Sequence, residues 1–405
     1  MLIGFKTELK LNNRQRTELL KHAGVARHAW NWGLGLTKQI LNHNKANPES
    51  KIKFPSAIDL HKWLVALVKP THPWYFDVSK CAPQYALRDL RMAWDRCFKK
   101  VSGVPRFKRK GRGDSFELDG TIRVRGACKI QVPRCGILRT YEELPQVQPK
   151  NVTISRTANR WYISVKIEVE PTDRPKSVDV VGVDLGVKSL ATLSTGEVFN
   201  GAKSYHQLES KISRLQWLNR HKRACFAGES SPANTAQLHS ANWKKAQIRI
   251  QRLHQRIANV RKDTLHKLTT HLAKNHGTVV IEDLNVSGMM ANRKLAKAVQ
   301  DMGFYEFRRQ LEYKTKLYGS KLVVVDRWFP SSKTCSCCGA KKETLSLSER
   351  VFNCKHCGLE IDRDLNAAIN LRNAASHVVS ACGSGEADFS EVKQEVSNEL
   401  IVSKC

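Results

Sequence analysis

The order of hydrophobic and polar positions divides the first half of the chain into a helical stretch and a strand-rich stretch. After a weakly alternating run over residues 1–11, apolar positions recur at helical spacing through most of residues 13–100. From about residue 116 to residue 170 the pattern changes to short alternating runs such as VTIS and RWYISVKIEVE, which are typical of strands. The pattern therefore predicts helices over residues 13–100, with strands on both sides of them in the sequence.

The second half of the chain predicts buried strands separated by helices. VVGVDLGVKSLATLSTGEVF, which begins at Val180, predicts a buried strand, a glycine turn and a second strand. Residues 203–276 predict a long helical hairpin interrupted by GESSPANT (Gly228–Thr235). TVVIEDL and KLVVVD predict two further buried strands, and a helix from about Asp301 to Tyr318 is expected between them. Strands that alternate with helices in this way indicate an α/β core.

The charge of the chain adds a class of partner to this picture of the fold. The chain carries 68 Lys and Arg against 37 Asp and Glu, a formal net charge of +31. Such an excess favours a polyanion as partner, and nucleic acid is the commonest one. The rival is an anionic membrane, but the basic residues are spread along the chain and the apolar runs have only strand length. We expect no membrane partner and a cytoplasmic location.

Five of the twelve cysteines lie between Cys335 and Cys357 and suggest a metal site. Two C-x-x-C pairs, Cys335 with Cys338 and Cys354 with Cys357, are separated by fifteen residues. This spacing is typical of four thiolates around one zinc ion, and such a closed site is structural because no position stays open for water. The alternatives are a redox role or no ligand. Cys337 lies inside the first pair and is expected, like His356 inside the second, to be a spacer.

Acidic residues at the ends of predicted core strands suggest a second metal site. Asp184 lies within an apolar strand, Glu282 ends the run VVIE, and Asp362 and Asp364 precede a small predicted helix. Each has a plain alternative: a turn cap for Asp184, a solvent-facing strand end for Glu282, and a helix cap for one of the aspartates. Because strand ends of one sheet converge in space, three such carboxylates would form a site for Mg²⁺ or Mn²⁺. Paired ions of this kind hydrolyse phosphodiesters.

Four motifs in fixed order make the sequence recognisable. GVDLGVKSLATLS, VVIEDLNVSGM, PSSKTCSCCG with CKHCG, and DRDLNAAINL together resemble the TnpB (OrfB) family of insertion-sequence proteins. That family is similar to type V CRISPR effectors and to the eukaryotic Fanzor proteins. The resemblance covers roughly residues 1–373, and it is weaker in the N-terminal half, where ARHAWNWGL, QYALRDLRMAW and PRFKRKGRGDSF also match family text. The tail beyond Ala375 has no recognised counterpart.

The resemblance implies an RNA-guided DNA endonuclease of transposon origin. It places a RuvC-type catalytic trio on Asp184, Glu282 and Asp364, with Asp362 as the competitor for the third position. The implied cofactors are Mg²⁺ or Mn²⁺ at the trio and one structural Zn²⁺ at the cysteines. The implied partners are a guide RNA, a transposon-encoded noncoding RNA, and double-stranded target DNA that carries a short target-adjacent motif. The implied location is a prokaryotic cytosol or nucleoid, and the oligomeric state stays open.

The resemblance also implies a fold class, which is α/β plus a β-barrel and a helical lobe. Its nuclease core is RNase H-like (RuvC), with an inserted helical hairpin and a zinc ribbon. The domains expected along the chain are a wedge-like β-barrel (1–11 and 116–175), a helical recognition lobe (12–115), a RuvC-like nuclease domain (176–334 and 358–373), a zinc ribbon (335–357) and a disordered tail (374–405).

Basic and polar residues of the N-terminal half are candidates for nucleic-acid contacts. The loop PRFKRKGRG is rich in cations that could bind phosphate, although a merely solvated loop is the alternative. Its candidate residues are Arg106, Lys108, Arg109, Lys110 and Arg112. Gln84 and Arg88 share a helical face with Arg91 and could approach the duplex beside the target, but an ordinary polar face is as good an explanation. The tryptophans at 30, 32 and 94 are expected in the core rather than under stacked bases.

Two other functions are compatible with parts of this pattern. One is a guide-directed DNA-binding protein or transposition accessory factor without cleavage, such as a repressor, which would have no need of the acidic trio. The other is a strand-joining transposase. The order of the acids opposes it, because Glu282 stands second in the sequence rather than last.

Overall fold

The computed structural model describes residues 1–172, 175–220, 240–346 and 348–381. The chain divides into two compact units, Met1–Glu170 with Ala224–Gln255 and Pro171–Arg223 with Arg256–Cys405. The predicted GESSPANT interruption lies outside the described residues, as does the predicted tail from residue 382 onwards. Within the described ranges, no helix combines the length and the apolar character that a membrane crossing requires.

The first unit begins with the predicted strand and helices. Its helices are α1 (Asn13–Ala46), α2 (Ala57–Trp63), which continues as a π-helical turn over Leu64–Val68, a 3₁₀ turn (Pro73–Tyr75) and α3 (Cys81–Phe98). Asn12 caps α1, because its side chain accepts a hydrogen bond from the Gln15 amide at 2.8 Å while the Gln15 side chain accepts one from the Asn12 amide. Trp30 and Trp94 are buried, which confirms the expectation for these two core positions.

Seven strands of the first unit form one antiparallel sheet. They are β1 (Leu2–Lys10), β2 (Ser115–Asp119), β3 (Arg123–Val124), β4 (Lys129–Val132), β5 (Gly136–Thr140), β6 (Asn151–Thr157) and β7 (Arg160–Glu168). Their order is β2-β6-β7-β1-β5-β4-β3, so the N-terminal strand lies in the middle. Alternate residues of a strand, such as Val152 and Ile154 of β6, are buried, and they belong to the same hydrophobic core as the helices. The predicted strands are confirmed, and closure into a barrel stays a prediction.

A mixed five-stranded sheet forms the centre of the second unit. Its strands are β8 (Val178–Asp184), β9 (Ala191–Leu193), β10 (Val198–Phe199), β11 (His276–Glu282) and β12 (Lys321–Val325). The order is β10-β9-β8-β11-β12, in which β8, β11 and β12 run parallel, β9 is antiparallel to β8, and β10 is antiparallel to β9. The two inner parallel strands, β8 and β11, are rich in buried valine and isoleucine, as expected of strands covered on both faces, whereas β12 at the edge has no buried residue.

The helices that follow differ from the prediction at two places. They are α4 (Ser204–Asn219), α5 (Ala241–Asn275), α6 (Val286–Ala291), α7 (Ala296–Met302), α8 (Phe304–Leu317) and α9 (Arg363–Ala381). The single helix expected from Asp301 to Tyr318 is divided at Gly303, whose φ of +74° ends α7 in a left-handed conformation. Helix α9 continues to Ala381, beyond the predicted start of the tail at residue 374. Strands β13 (Val351–Asn353) and β14 (Glu360–Asp362) form a hairpin before it.

Helix α9 packs directly on strand β8 at Gly182. A Cβ atom at this position would lie 1.9 Å from the Ala368 carbonyl oxygen and 2.5 Å from the Arg372 amide nitrogen. Both contacts are with helix backbone, which cannot swing aside as a flexible side chain could. Glycine at position 182 therefore allows the helix to lie against the strand that ends in Asp184.

Replacement of this glycine should be costly. Gly182→Ala should lower the free energy of unfolding of the second unit by at least about 2 kcal/mol, because overpacking of a rigid contact costs roughly 1–3 kcal/mol. Gly35→Ala is the control, since a Cβ there meets nothing within 4 Å and the position lies inside α1. Alanine is favoured there by about 1 kcal/mol. Thermal unfolding followed by circular dichroism should show a lower midpoint for the first variant alone; equal midpoints would contradict the packing described.

Candidate catalytic and metal-binding sites

Two of the predicted acids end neighbouring strands at one edge of the five-stranded sheet. Strands β8 and β11 are parallel, and Val183 is paired with Ile281. The next residues along the two strands, Asp184 and Glu282, therefore lie side by side at the carboxyl edge. Strand β12 adds its own end to this edge, because Glu282 is paired with Val325.

The two aspartates at the start of α9 have different surroundings. The Asp362 carboxylate accepts hydrogen bonds from the backbone amides of Asp364 at 2.9 Å and Leu365 at 3.1 Å. Asp362 is thus the N-cap of the helix, the role that the sequence allowed for one of the pair. Asp364 lies in the first turn, where its side chain is 21% exposed and 3.5 Å from the Arg363 guanidinium. Asp364 does not cap the helix, so its carboxylate can serve as a metal ligand.

Burial and mutual repulsion raise the pKa values of the strand-end acids. Burial raises the pKa of Asp184 to about 7, and the carboxyl groups of Asp364 and Glu282 contribute to this rise, while Arg363 acts in the opposite direction. Burial also raises the pKa of Glu282, with a smaller contribution from Asp283. Asp364 and Glu282 thus both act on the carboxyl group of Asp184, as carboxylates that share one edge would. A cation among them would offset both penalties.

The three acids do not form a single closed ligand cluster. Within the described ranges, one group of His, Cys, Asp or Glu side chains brings three or more ligand atoms within 4.8 Å of one another. That group consists of four cysteines. The carboxylates share the edge at a wider mutual spacing. Oxygen ligands from three separate elements still match the preference of hard divalent cations.

Two arginines that sequence reasoning missed bind Asp283, the residue that follows Glu282. Its carboxylate accepts hydrogen bonds from Arg308 of α8 and, at 2.8 Å, from Arg327 in the loop after β12. Burial alone would raise the pKa of Asp283, but the two arginines lower it overall. No spacing in the sequence links these residues, because they come from three different elements. The ion pairs fix the chain immediately after Glu282.

The four predicted cysteines come together in space. The sulfur atoms of Cys335, Cys338, Cys354 and Cys357 all lie within 4.8 Å of one another, and two of the distances are 3.6 Å. Each pair closes a tight turn that ends in a glycine of positive φ, at 74° and 72°. Cys337 and His356 lie outside the group, as expected of spacers. This cysteine cluster could hold one metal ion with tetrahedral thiolate ligands.

Two buried asparagines attach the cysteine cluster to α9. The Asn366 side chain donates to the Thr334 carbonyl at 2.7 Å and accepts from the Ser336 amide at 2.9 Å. Asn370, one helical turn later, donates to the carbonyls of Ser331 and Thr334. Their spacing of four residues in DRDLNAAIN is the signal that sequence reasoning missed, since polar residues on an otherwise apolar helix face require partners. The helix that carries Asp364 thus also holds the cluster.

The basic loop is exposed except at one of its predicted contact residues. Arg106, Arg109, Lys110 and Arg112 are exposed. Lys108 is half-buried instead, with its ammonium 4.0 Å from the centre of the Trp30 ring. Burial lowers the pKa of Lys108, and the carboxylate of Asp89 only partly offsets this. Lys108 therefore packs on Trp30 in the folded chain, and its contact with phosphate stays a prediction.

The loop is held against helix α1, and the second predicted surface lies on α3. Asn31 exchanges two hydrogen bonds with the backbone of Lys108, at 2.9 and 2.8 Å. On α3, Gln84 and Arg88 are exposed. The Arg88 guanidinium lies 4.2 Å from the centre of the Tyr85 ring and 4.0 Å from Glu117. These contacts orient Arg88 without burying it, so this face stays available for a ligand.

Three family profiles match the chain in succession. They are described as "Helix-turn-helix domain" over residues 1–46, "Probable transposase" over residues 162–293 and "Cas12f1-like, TNB domain" over residues 304–371. The first segment consists here of β1 and the uninterrupted helix α1. The second profile includes Asp184 and Glu282, and the third includes the cysteine cluster and Asp364.

Relatives match the chain over nearly its whole length. "Putative RNA-guided DNA endonuclease InsQ" of Escherichia coli (strain K12) is 35% identical and covers 97% of both chains. "Putative RNA-guided DNA endonuclease" of Streptomyces pristinaespiralis is 36% identical over 94% of this chain and 91% of its own. A solved Cas12f1–sgRNA–target DNA complex has the same fold, with a TM-score of 0.54 and 18% identity over 89% of this chain and 83% of that one. The chain belongs to the TnpB (OrfB) family of insertion-sequence proteins.

Proposed function

We propose that this protein is an RNA-guided DNA endonuclease of transposon origin that hydrolyses phosphodiester bonds with divalent metal. The observation that carries the proposal is the edge where β8 and β11 end side by side in Asp184 and Glu282 and where α9 contributes Asp364. The names of the two relatives similar over nearly their whole length support the same activity. A protein that only binds DNA would have no use for three interacting acids at this edge.

Asp184, Glu282 and Asp364 would hold Mg²⁺ or Mn²⁺. Such ions, when bound, activate the attacking water and stabilise the leaving oxygen of the phosphodiester. The protein supplies a rigid frame, since two of the ligands end paired strands and the third lies in the first turn of a helix packed on one of them. The wider spacing of the three acids is compatible with two ions. The sheet order supports an RNase H-like (RuvC) core, with α4 and α5 as its inserted hairpin.

The cysteine cluster would hold one structural Zn²⁺. Four thiolates fill a tetrahedral site and leave no position for water, so the ion would not take part in cleavage. Its task is to fold the segment between β12 and α9, which has few buried apolar residues of its own: Cys335, Phe352 and Cys354 form its core. The asparagine contacts then link this zinc ribbon to the helix of Asp364.

The first unit would bind the guide RNA and the target DNA. The net charge of +31 and the exposed cations of the basic loop support contact with phosphates. We assign the strand regions 1–11 and 116–175 to the wedge-like barrel, and residues 12–115 to the recognition lobe. Gln84 and Arg88 would face the duplex beside the target, where a short motif is read.

Replacement of Asp184 tests DNA cleavage and DNA binding as separate properties. Asp184→Ala should lower the cleavage rate of a guided target by more than about a hundredfold, because metal stabilisation of the transition state is worth several kcal/mol. Binding should persist, since it depends on base pairing and backbone charge. A cleavage gel beside a gel-shift assay, in Mg²⁺ with guide RNA, measures both.

Asp362→Ala is the matched control for the third acid. It removes a helix cap, so it should cost about 1 kcal/mol of stability and leave most of the cleavage activity, whereas Asp364→Ala should abolish cleavage. Cleavage by Asp184→Ala at the wild-type rate would contradict the nuclease proposal. A wild-type protein that binds its guided target but never cuts it would favour the repressor function instead.

Zinc content tests the cysteine cluster. The purified protein should contain about one zinc per chain, because four thiolates form one closed site. Cys338→Ser combined with Cys354→Ser should remove the metal and lower the stability of the second unit. Cys337→Ser is the control and should keep the zinc. Elemental analysis that finds full zinc in the double variant would refute the assignment.

Salt dependence tests the basic loop. Arg109→Ala combined with Lys110→Ala should weaken RNA binding and flatten the slope of log affinity against log salt by about 0.7–0.9 for each phosphate that these side chains neutralise. Lys108→Ala should change this slope little and should lower stability instead, because its side chain packs on Trp30. Binding measured from about 50 to about 200 mM salt compares the variants. A larger change of slope in Lys108→Ala than in the double variant would reverse the assignment.

A further inference from the structure

Trp328 is an unusual residue on the surface of the second unit. Its side chain is 84% exposed, more than any other large hydrophobic side chain among the described residues. It lies in the loop that follows β12, three residues after Val325. An indole ring left in water loses the burial that makes tryptophan stabilising, and its whole face is open to a ligand.

A tight turn in the loop keeps the Trp328 side chain directed away from the protein. The Trp328 amide donates to the Asp326 carboxylate at 2.8 Å, and the Phe329 amide donates to the Asp326 carbonyl at 3.0 Å. The neighbouring Phe329 packs against the core cluster that contains Leu371 of α9. Two residues later, the Ser331 carbonyl accepts a hydrogen bond from the buried Asn370. The turn and both anchors order the loop, so the exposure of Trp328 is built into the fold.

The loop starts at the edge that carries the acids. Val325 is paired with Glu282, and its carbonyl accepts a hydrogen bond from the Asp283 amide at 2.9 Å. Arg327 then binds the Asp283 carboxylate at 2.8 Å. The chain just before Trp328 is therefore attached at two points to the strand end that bears Glu282.

A cavity of about 490 Å³ adjoins Glu282 on the same side. Arg327 lines it, and so does Tyr305 at the start of α8, whose side chain is 70% exposed. Tyr305 points away from the core that its neighbours Phe304 and Phe307 fill. The carboxyl edge thus has an aromatic residue in the wall of its cavity and another in the adjoining loop. We call Tyr305 and Trp328 the edge aromatics.

We propose that the edge aromatics form a stacking site for unpaired bases of the DNA strand next to the phosphate that is cut. The proposal rests on the function proposed above and adds a substrate subsite to it. An aromatic ring binds any base through its π-face, and each such stack is worth about 1–3 kcal/mol. Stacking requires a base that is free of its complement, so the subsite selects single-stranded DNA at the cut. The choice of nucleic acid follows from the net charge of +31 and from the adjacent acids, whose substrate is a phosphodiester.

Trp328→Ala and Trp328→Phe separate stacking from other roles. In single-turnover cleavage of a guided target, the alanine variant should be slower by about 5- to 150-fold, the factor that one stack represents. The phenylalanine variant keeps an aromatic face and should recover most of the rate. Trp217→Ala is the control, since this residue of α4 is also exposed, at 55%, and should cut normally.

An abasic nucleotide moved stepwise along the strand around the cut identifies the stacked base. At one position it should slow the wild-type protein by a factor similar to that of Trp328→Ala, and it should not slow the variant further. Equal slowing of both proteins at every position would overturn the proposal, as would wild-type cleavage by Trp328→Ala. A dimer that this substitution dissociates, seen by sedimentation, would mean that a second copy of the chain is the occupant.

A binding measurement without cleavage distinguishes failure of the subsite from failure of the nuclease function. In Asp184→Ala complexes, 2-aminopurine is placed in turn at each position around the expected cut. Stacking should quench it at one position, and Trp328→Ala should restore its fluorescence there. Quenching that depends on Trp328 supports the subsite even if the wild-type protein cuts nothing. Normal cleavage without such quenching would refute the subsite and leave the nuclease function standing.

Discussion

The contact of α9 with β8 at Gly182 is the constraint on which the proposed active site depends. The glycine lacks a Cβ atom, so the backbone of α9 contacts the strand directly there. This close contact fixes the distance and the register of the helix against the sheet. That position brings the first turn of α9, with Asp364, to the end of the strand that carries Asp184. The parallel pairing of β8 with β11 alone is enough to bring Glu282 beside Asp184. One strand pairing and one helix contact thus gather acids from three distant parts of the sequence.

The same helix couples the two proposed metal sites. Its first turn carries Asp364 and Asn366, and its second turn carries Asn370; the two asparagines bind the backbone around the first cysteine pair. A change that loosens the cysteine cluster would therefore also disturb the position of Asp364 at the carboxyl edge of the sheet. The loop of Trp328 is held by Asn370 as well, so strand, helix, ribbon and loop behave as one supporting frame around the acids.

The sequence predicted the strands, most helices and the four cysteines, because periodicity and spacing are local signals. It also offered both a cap and a ligand at Asp362 and Asp364, and only the hydrogen bonds of the folded chain separate the two roles. The packing of Lys108 could not be predicted, because its neighbours in the sequence are cations, whereas its neighbour in space is Trp30. The ion pairs of Arg308 and Arg327 with Asp283 have no signature in the sequence, since tertiary folding alone brings these residues together.

The central claim is that Asp184, Glu282 and Asp364 together bind the divalent cation that cleaves DNA. Anomalous diffraction from crystals of the protein in Mn²⁺ tests it directly, because the scattering signal locates the ions themselves. The account predicts one or two peaks in contact with carboxylate oxygens of all three residues, and no contact with Asp362. Peaks absent from this edge, or bound by Asp362 in place of Asp364, would contradict it.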